Sequence, residues 1–486
     1  MKTFKVICVA LSLLLIVSAC SKDSKSSSKN ESSFTPSIDF KKCEEFQCGT
    51  LEVPMDYKNV EGRKIDIAVL RRPAKDKKNR IGVILVNPGG PGASGIGMAK
   101  SAGVIFPQEI LDKFDIIGWD PRGAGASTSV SCSKNLDFLF QGVDYSPDTQ
   151  EEKDNLVAVN KEFGQKCEEE DAQLLPFLNT ENSVRDMDEI RKALDEEKIN
   201  YLGFSYGTSL GQIYATLFPK NFRAMVIDGV IDLGAEPKDT AVQQAVGFES
   251  SIDAFFEYCK EEGCTYAASG DPKTKYIELM QEIDANPIKS SEKNFSLGPA
   301  QLDIATANWL YSGEYGYQLL DEGLTDAQRG KPADLLGSFS SYVGRSLGGK
   351  YDGSYSAFLT IGCSDGYTAN AQGMFDLATI ATKDAEIFGE TGILLGMPCA
   401  TWPSNELAKP FEVDTSKDKP IVVIGTTGDP ATPVQWARNA AKQIANSSYI
   451  EVRGTTHTSY GGGNNCVEEA VNNYFLELKN PGNLNC

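Results

Sequence analysis

The chain has 486 residues, enough for one large core with an insertion, and its composition is ordinary for a soluble globular protein. Its 47 basic residues face 67 acidic ones for a formal charge of −20, a balance that repels nucleic acid and anionic lipid and argues against a nucleic-acid partner. A single histidine and the lack of any Cys-x2-Cys pair speak against zinc, and no metal or organic cofactor is expected.

Lys2 and Lys5 open the chain, followed by the apolar run "VICVALSLLLIV", too short to span and stay in a bilayer. The run ends in "VSAC", small residues before a cysteine, as in a bacterial lipobox. Residues 1–19 are therefore expected to be a lipoprotein signal peptide, cut before Cys20 so that lipid attaches to its sulfur; an ordinary secretory signal with an incidental cysteine is the alternative. The polar, serine-rich "SKDSKSSSKNESS" cannot bury a core, so residues 20–38 read as a flexible tether. The expected location is extracytoplasmic, on a bacterial membrane. Beyond Cys8 and Cys20, ten cysteines remain, an even number that suits five disulfides in an oxidising compartment. Joining neighbours in sequence gives the simplest set: Cys43–Cys48, Cys132–Cys167, Cys259–Cys264, Cys363–Cys399 and Cys466–Cys486. Sequence leaves the connectivity open.

Along the chain, "GTLEVPMDY" and "KIDIAVLRR" predict an opening pair of strands. Six further runs, "RIGVILVNPGG", "FDIIGWDPRG", "INYLGFSYG", "FRAMVIDGV", "KPIVVIGTTGD" and "SSYIEVRGTTH", are apolar and β-rich before they break into glycine or polar loops. With helical stretches between them, they predict a mostly parallel buried sheet of an α/β protein, with ligand chemistry at the carboxyl ends of the strands. Residues 233–397 break this rhythm and read as a mainly helical cap, inserted between a core of residues 39–232 and its continuation, residues 398–486.

The strand ends carry the chemistry. Gly203-Phe204-Ser205-Tyr206-Gly207 is a G-x-S-x-G between a strand and a helix, the turn that lifts a nucleophilic serine above a sheet. A serine hydroxyl needs a base, and His457, after the last predicted strand, is the one histidine available. The imidazole needs a carboxylate to fix its tautomer: Asp429 in "IGTTGDPATP" follows the penultimate strand and completes the chain order Ser, Asp, His, with Asp228 in "MVIDGVID" as rival. Backbone N–H groups of Tyr206 and of Gly90, in the loop "NPGGPGASG" beside Gly89, are the expected oxyanion donors. That loop lacks the Gly-Lys-Ser/Thr that a phosphate cradle would need. Asp120 and Arg122 in "WDPRGAGAS" are expected to buttress the site by hydrogen bonding.

Taken in order, "CGTLEVPMDY", "NPGGPGASG", "FDIIGWDPRGAGAS", "GFSYGT", "GDPATP" and "GTTH" with a following cysteine resemble the tripeptidyl aminopeptidase-like branch of the α/β-hydrolases, exported serine exopeptidases related to proline iminopeptidases. "CATWP" looks like the start of that family's C-terminal module. The resemblance implies an α/β-hydrolase fold, a Ser205–His457–Asp429 triad, Gly90 and Tyr206 as oxyanion donors, and the pairs Cys466–Cys486 and Cys363–Cys399. One departure stands out: Asn87-Pro88 occupies the place where iminopeptidases carry a histidine, which fits the tripeptidyl branch. The expected activity is release of short peptides, tripeptides first, from free N-termini through an acyl-enzyme. An esterase of the same fold and a non-catalytic peptide- or solute-binding lipoprotein are the alternatives. Peptides and, through the lipid, a membrane are the expected partners.

Overall fold

The computed structural model describes residues 35–366, 368–403 and 409–486. The proposed signal peptide, the lipid acceptor Cys20 and the tether up to residue 34 lie outside the described residues. Strands β1 (Lys41–Cys43), β2 (Phe46–Pro54), β3 (Lys64–Arg72), β4 (Gly82–Asn87), β5 (Phe114–Trp119), β6 (Ile199–Phe204) and β7 (Phe222–Asp228) precede the cap. Inside the cap, β8 (Ile288–Lys289) pairs with β9 (Ser296–Leu297), and β10 (Arg345–Ser346) with β11 (Lys350–Tyr351). After it come β12 (Ile421–Thr426), β13 (Ser447–Val452) and β14 (Leu484–Asn485).

Ten of these form one sheet in the order β1-β2-β3-β5-β4-β6-β7-β12-β13-β14, antiparallel from β1 to β5 and parallel from β5 onward. This is an α/β-hydrolase sheet, mostly parallel. The residue pattern explains the layering. β4, β5 and β12 are buried along their whole length, as apolar runs in a sheet covered on both faces must be, whereas β13 alternates between buried and half-buried positions. On one face, Leu85, Ile117, Tyr201, Ile227 and Val423 pack with the helices Thr180–Ala193, Gly207–Leu217 and Val434–Gln443. On the other, Val86, Ile116, Leu202, Val226 and Ile424 pack with Gly95–Lys100, Gln108–Lys113 and Asn465–Glu477.

β1 and β14 had no sequence prediction, because three and two residues carry too little pattern to read. Disulfides hold both sheet margins: Cys43–Cys48 ties β1 to β2, and Cys466–Cys486 ties the helix Asn465–Glu477 to the residue after β14. Cys132–Cys167, Cys259–Cys264 and Cys363–Cys399 complete the five.

The cap is built from helices, three of which start on proline: Pro237–Glu262, Pro272–Ala285 and Pro299–Leu310. Proline suits a first helical turn, where its missing N–H leaves no bond unmade. A second excursion, between β5 and β6, supports the cap from the core side. It carries the helix Gln150–Asp171 and reaches the cap through Gln141 Oε1, which accepts from Ser296 N (3.0 Å), and through Asp137, which pairs with Arg345 (2.7 Å).

Candidate active site

Every residue predicted to act sits in a loop leaving the carboxyl end of a strand. β6 runs into Ser205, whose φ of +54° is left-handed and disfavoured for a side-chain-bearing residue. The strain is held from two sides: Ser205 N–H donates to Asp228 O (3.0 Å), and the Thr208 hydroxyl donates to Ser205 O (2.6 Å). Gly207 is required by close approach, since a Cβ there would fall 2.8 Å from Asn87 O. The helix Gly207–Leu217 starts directly behind the serine, so its amino end faces any negative charge that develops there.

The loop after β4 leans on this corner. A Cβ on Gly89 would lie 2.7 Å from Phe204 O and 3.1 Å from Tyr206 N, so the backbone around Gly90 is brought beside the serine turn. Asn87 Oδ1 accepts the Gly89 N–H (2.9 Å). Among the described residues, Gly90 N–H and Tyr206 N–H have no acceptor in the protein, which leaves both available to an oxyanion. Asp120 fixes the far end of the loop by accepting from the Ser94 hydroxyl (2.6 Å) and from Ala126 N–H (2.9 Å). Arg122 is buried away from the reaction cavity; it pairs with Asp186 (2.7 Å) and donates to the carbonyls of Pro54, Met55 and Phe177.

His457 Nδ1 lies 2.9 Å from both carboxylate oxygens of Asp429. Asp429 is itself locked: Oδ1 accepts from Ala431 N–H and Thr432 N–H (both 2.9 Å), and Oδ2 from the Thr432 hydroxyl (2.8 Å). Burial alone would lower the pKa of His457, but the charge and hydrogen bond of Asp429, with help from Asp228, outweigh it and raise the imidazole above its ordinary 6.5. The rival carboxylate has a different task. Asp228 Oδ2 accepts from Ser459 N–H (2.9 Å) and Tyr460 N–H (2.8 Å), which anchors the loop behind His457 to β7. Burial lifts Asp228 to about 6, against the pull of those two amides.

Ser205 and His457 line one cavity of about 550 Å³, together with Gly90, Ser94, Tyr311, Tyr342 and Asp352. Among the described residues no hydrogen bond joins Ser205 Oγ to the imidazole, a spacing that free enzymes commonly close only when substrate binds. Tyr311, from the cap, had no signal in the sequence. Its carbonyl accepts the His457 N–H (2.9 Å), and its ring lies 4.9 Å from the imidazole, so the cap takes part in orienting the base. Thr432 was equally unread. Such an arrangement can activate an alcohol, hold a histidine in one tautomer and offer two amides to an oxyanion, which is the equipment of acyl transfer.

Comparison with known proteins agrees with this geometry. Residues 82–265 match the family described as alpha/beta hydrolase fold, and residues 385–486 the one described as TAP-like protein, which begins ahead of "CATWP". Over 455 residues the chain is 34% identical to Carboxylesterase B of Mycobacterium tuberculosis, covering 90% of this chain and 86% of the relative. It is 31% identical to Serine protease Hip1 of the same organism over 455 residues, covering 89% and 86%. It is 28% identical to Tripeptidyl aminopeptidase of Streptomyces lividans over 457 residues, covering 88% and 81%.

Proposed function

Because the chain belongs to the α/β-hydrolase family and is a serine hydrolase, we propose that it is an aminopeptidase acting through Ser205, His457 and Asp429. Ser205 Oγ attacks the scissile carbonyl. His457 Nε2 takes its proton and passes it to the leaving amine, Asp429 holds Nδ1 protonated, and Gly90 and Tyr206 N–H groups bind the oxyanion. Water then hydrolyses the acyl-enzyme with His457 again as base. The observation that carries this reading is His457, held by Asp429, lining the same cavity as a serine at positive φ.

Peptide release from free N-termini, tripeptides first, is supported by likeness to the Streptomyces relative. Tripeptide amides with free and acetylated amino ends, each compared with simple esters, test it. A free-end preference of at least tenfold in kcat/KM is expected; preference for the acetylated peptide, or turnover of esters alone, overturns it. The second reading, an esterase, is favoured by the 34% identity to a relative named as a carboxylesterase.

The acid limb of kcat/KM reports the base. His457 must be neutral to accept a proton, and its pKa is raised, so activity falls as pH drops through a value above 6.5. A pH–rate profile should show that limb, and one centred below 6.5 would assign it to another group.

Export as a lipoprotein through Cys20 belongs to the same proposal, and five disulfides in the folded part support an oxidising location. Cys20→Ser is expected to move the protein from the membrane to the soluble fraction on cell fractionation; retention at the membrane would reject the anchor.

A further inference from the structure

Under the cap, the reaction cavity adjoins a second cavity of about 330 Å³, with Pro91, Tyr342, Tyr355 and Phe358 in the walls of both. Pro91 directly follows the oxyanion residue Gly90, so this space shares a wall with the loop that would hold the reacting carbonyl. Its lining is mostly apolar, with Phe248, Ile304, Leu359 and Phe388 among its residues. Within that lining the helix Pro299–Leu310 places a carboxylate, Asp303, whose residue is only 3% exposed.

Among the described residues no cation neutralises it. Asp303 Oδ1 has no hydrogen-bond partner, and among the described residues no lysine, arginine or histidine is paired with the side chain. The neighbouring Glu249, from the helix Pro237–Glu262, is committed to the Ile387 and Phe388 amides and to Lys273 (3.3 Å). Tyr276, from the helix Pro272–Ala285, spends its hydroxyl on Thr306 (3.0 Å). Burial lifts the Asp303 carboxyl to about 7; the Thr391 hydroxyl works against that rise and Glu249 adds to it.

A lone carboxylate in apolar surroundings destabilises a fold, and asparagine or leucine would be cheaper there. Such groups persist where a ligand uses them. The walls suit an aliphatic stem, and the acid suits a positive charge at its end.

We propose that this cavity is a substrate subsite for a cationic amine carried among apolar groups, with Asp303 as its specificity-determining residue; the substrate side of this inference rests on the peptidase reading above. The amine comes either from a lysine or arginine side chain or from the α-amino end of the peptide. Tripeptide amides with lysine or its uncharged analogue norleucine at each position in turn, each with a free or acetylated amino end, separate the two sources. Asp303→Asn is expected to cut the lysine-over-norleucine ratio of kcat/KM at least tenfold if a side chain occupies the cavity. It cuts the free-over-acetylated ratio by that factor if the α-amine does. Both ratios unchanged would overturn the subsite.

A binding measurement decides the matter even if the enzyme proves to cleave only esters, an outcome that would end the peptidase reading alone. In a Ser205→Ala background, calorimetry with n-pentylamine and n-pentanol is expected to show preference for the amine, reduced at least tenfold by Asp303→Asn. Equal preference in the two proteins rejects the role of Asp303. Above pH 7, where the carboxyl is mostly ionised, Asp303→Asn should also unfold at a higher temperature, since it removes an uncompensated charge; a lower one would mark Asp303 as structural.

Discussion

Ser205→Ala is expected to lower kcat/KM by a factor on the order of 10^4 or more and to abolish labelling by a fluorophosphonate probe, with the fold unchanged. The reasoning is local. Alanine keeps the Cβ, so it meets the same backbone strain at φ +54° as serine does, and the bonds from Ser205 N–H to Asp228 O and from Thr208 to Ser205 O are main-chain acceptances that survive. Only the hydroxyl goes. Ser205→Gly sharpens the test. Glycine occupies positive φ without steric cost, so that variant should be as inactive as the alanine one yet at least as stable. Residual activity above about a tenth of wild type in either would place the nucleophile elsewhere. Loss of activity together with loss of the thermal transition in both would mark Ser205 as a folding residue.

Much of this was legible because the sheet writes itself in short buried runs. "GVILVN", "FDIIGW" and "IVVIGT" are short, mostly apolar, β-rich runs that suit strands covered on both faces, and each ends where glycine or a polar loop begins. The serine corner was legible for a steric reason: glycine is needed at 207 because a Cβ there would fall 2.8 Å from Asn87 O. What escaped notice has no local signature. Tyr311 bonds to His457 across 146 positions of chain, through a carbonyl that every residue possesses. Thr432 has a role only through the hydroxyl it gives to Asp429, a contact that no local pattern encodes. The support that Gln141 and Asp137 give the cap depends on partners more than 150 residues away. Asp303 reads as one polar position in a mostly apolar helix; only the cavity around it gives it meaning.

Asp429→Asn and Asp228→Asn together settle which carboxylate serves the histidine, and their expected effects differ by about three orders of magnitude. In Asp429→Asn the amide oxygen stays with the Ala431 and Thr432 amides, which can only donate. The new NH2 then stands where Oδ2 stood, donating to His457 Nδ1, so the ring proton moves to Nε2 and the imidazole cannot accept the proton of Ser205. A loss of roughly 10^4 in kcat is the magnitude known for a wrong-tautomer substitution in a serine protease triad. In Asp228→Asn the amide oxygen can take over the Ser459 and Tyr460 N–H groups, while the NH2 replaces an oxygen that already lacks a partner. The loop carrying His457 stays anchored, and kcat/KM should remain within about tenfold of wild type. The acid limb should move to lower pH, because the Asp228 charge helps to raise His457 and that charge is gone. Equal losses in the two variants would mean that anchoring the loop matters as much as fixing the tautomer; a larger loss in Asp228→Asn would give the acid's role to β7.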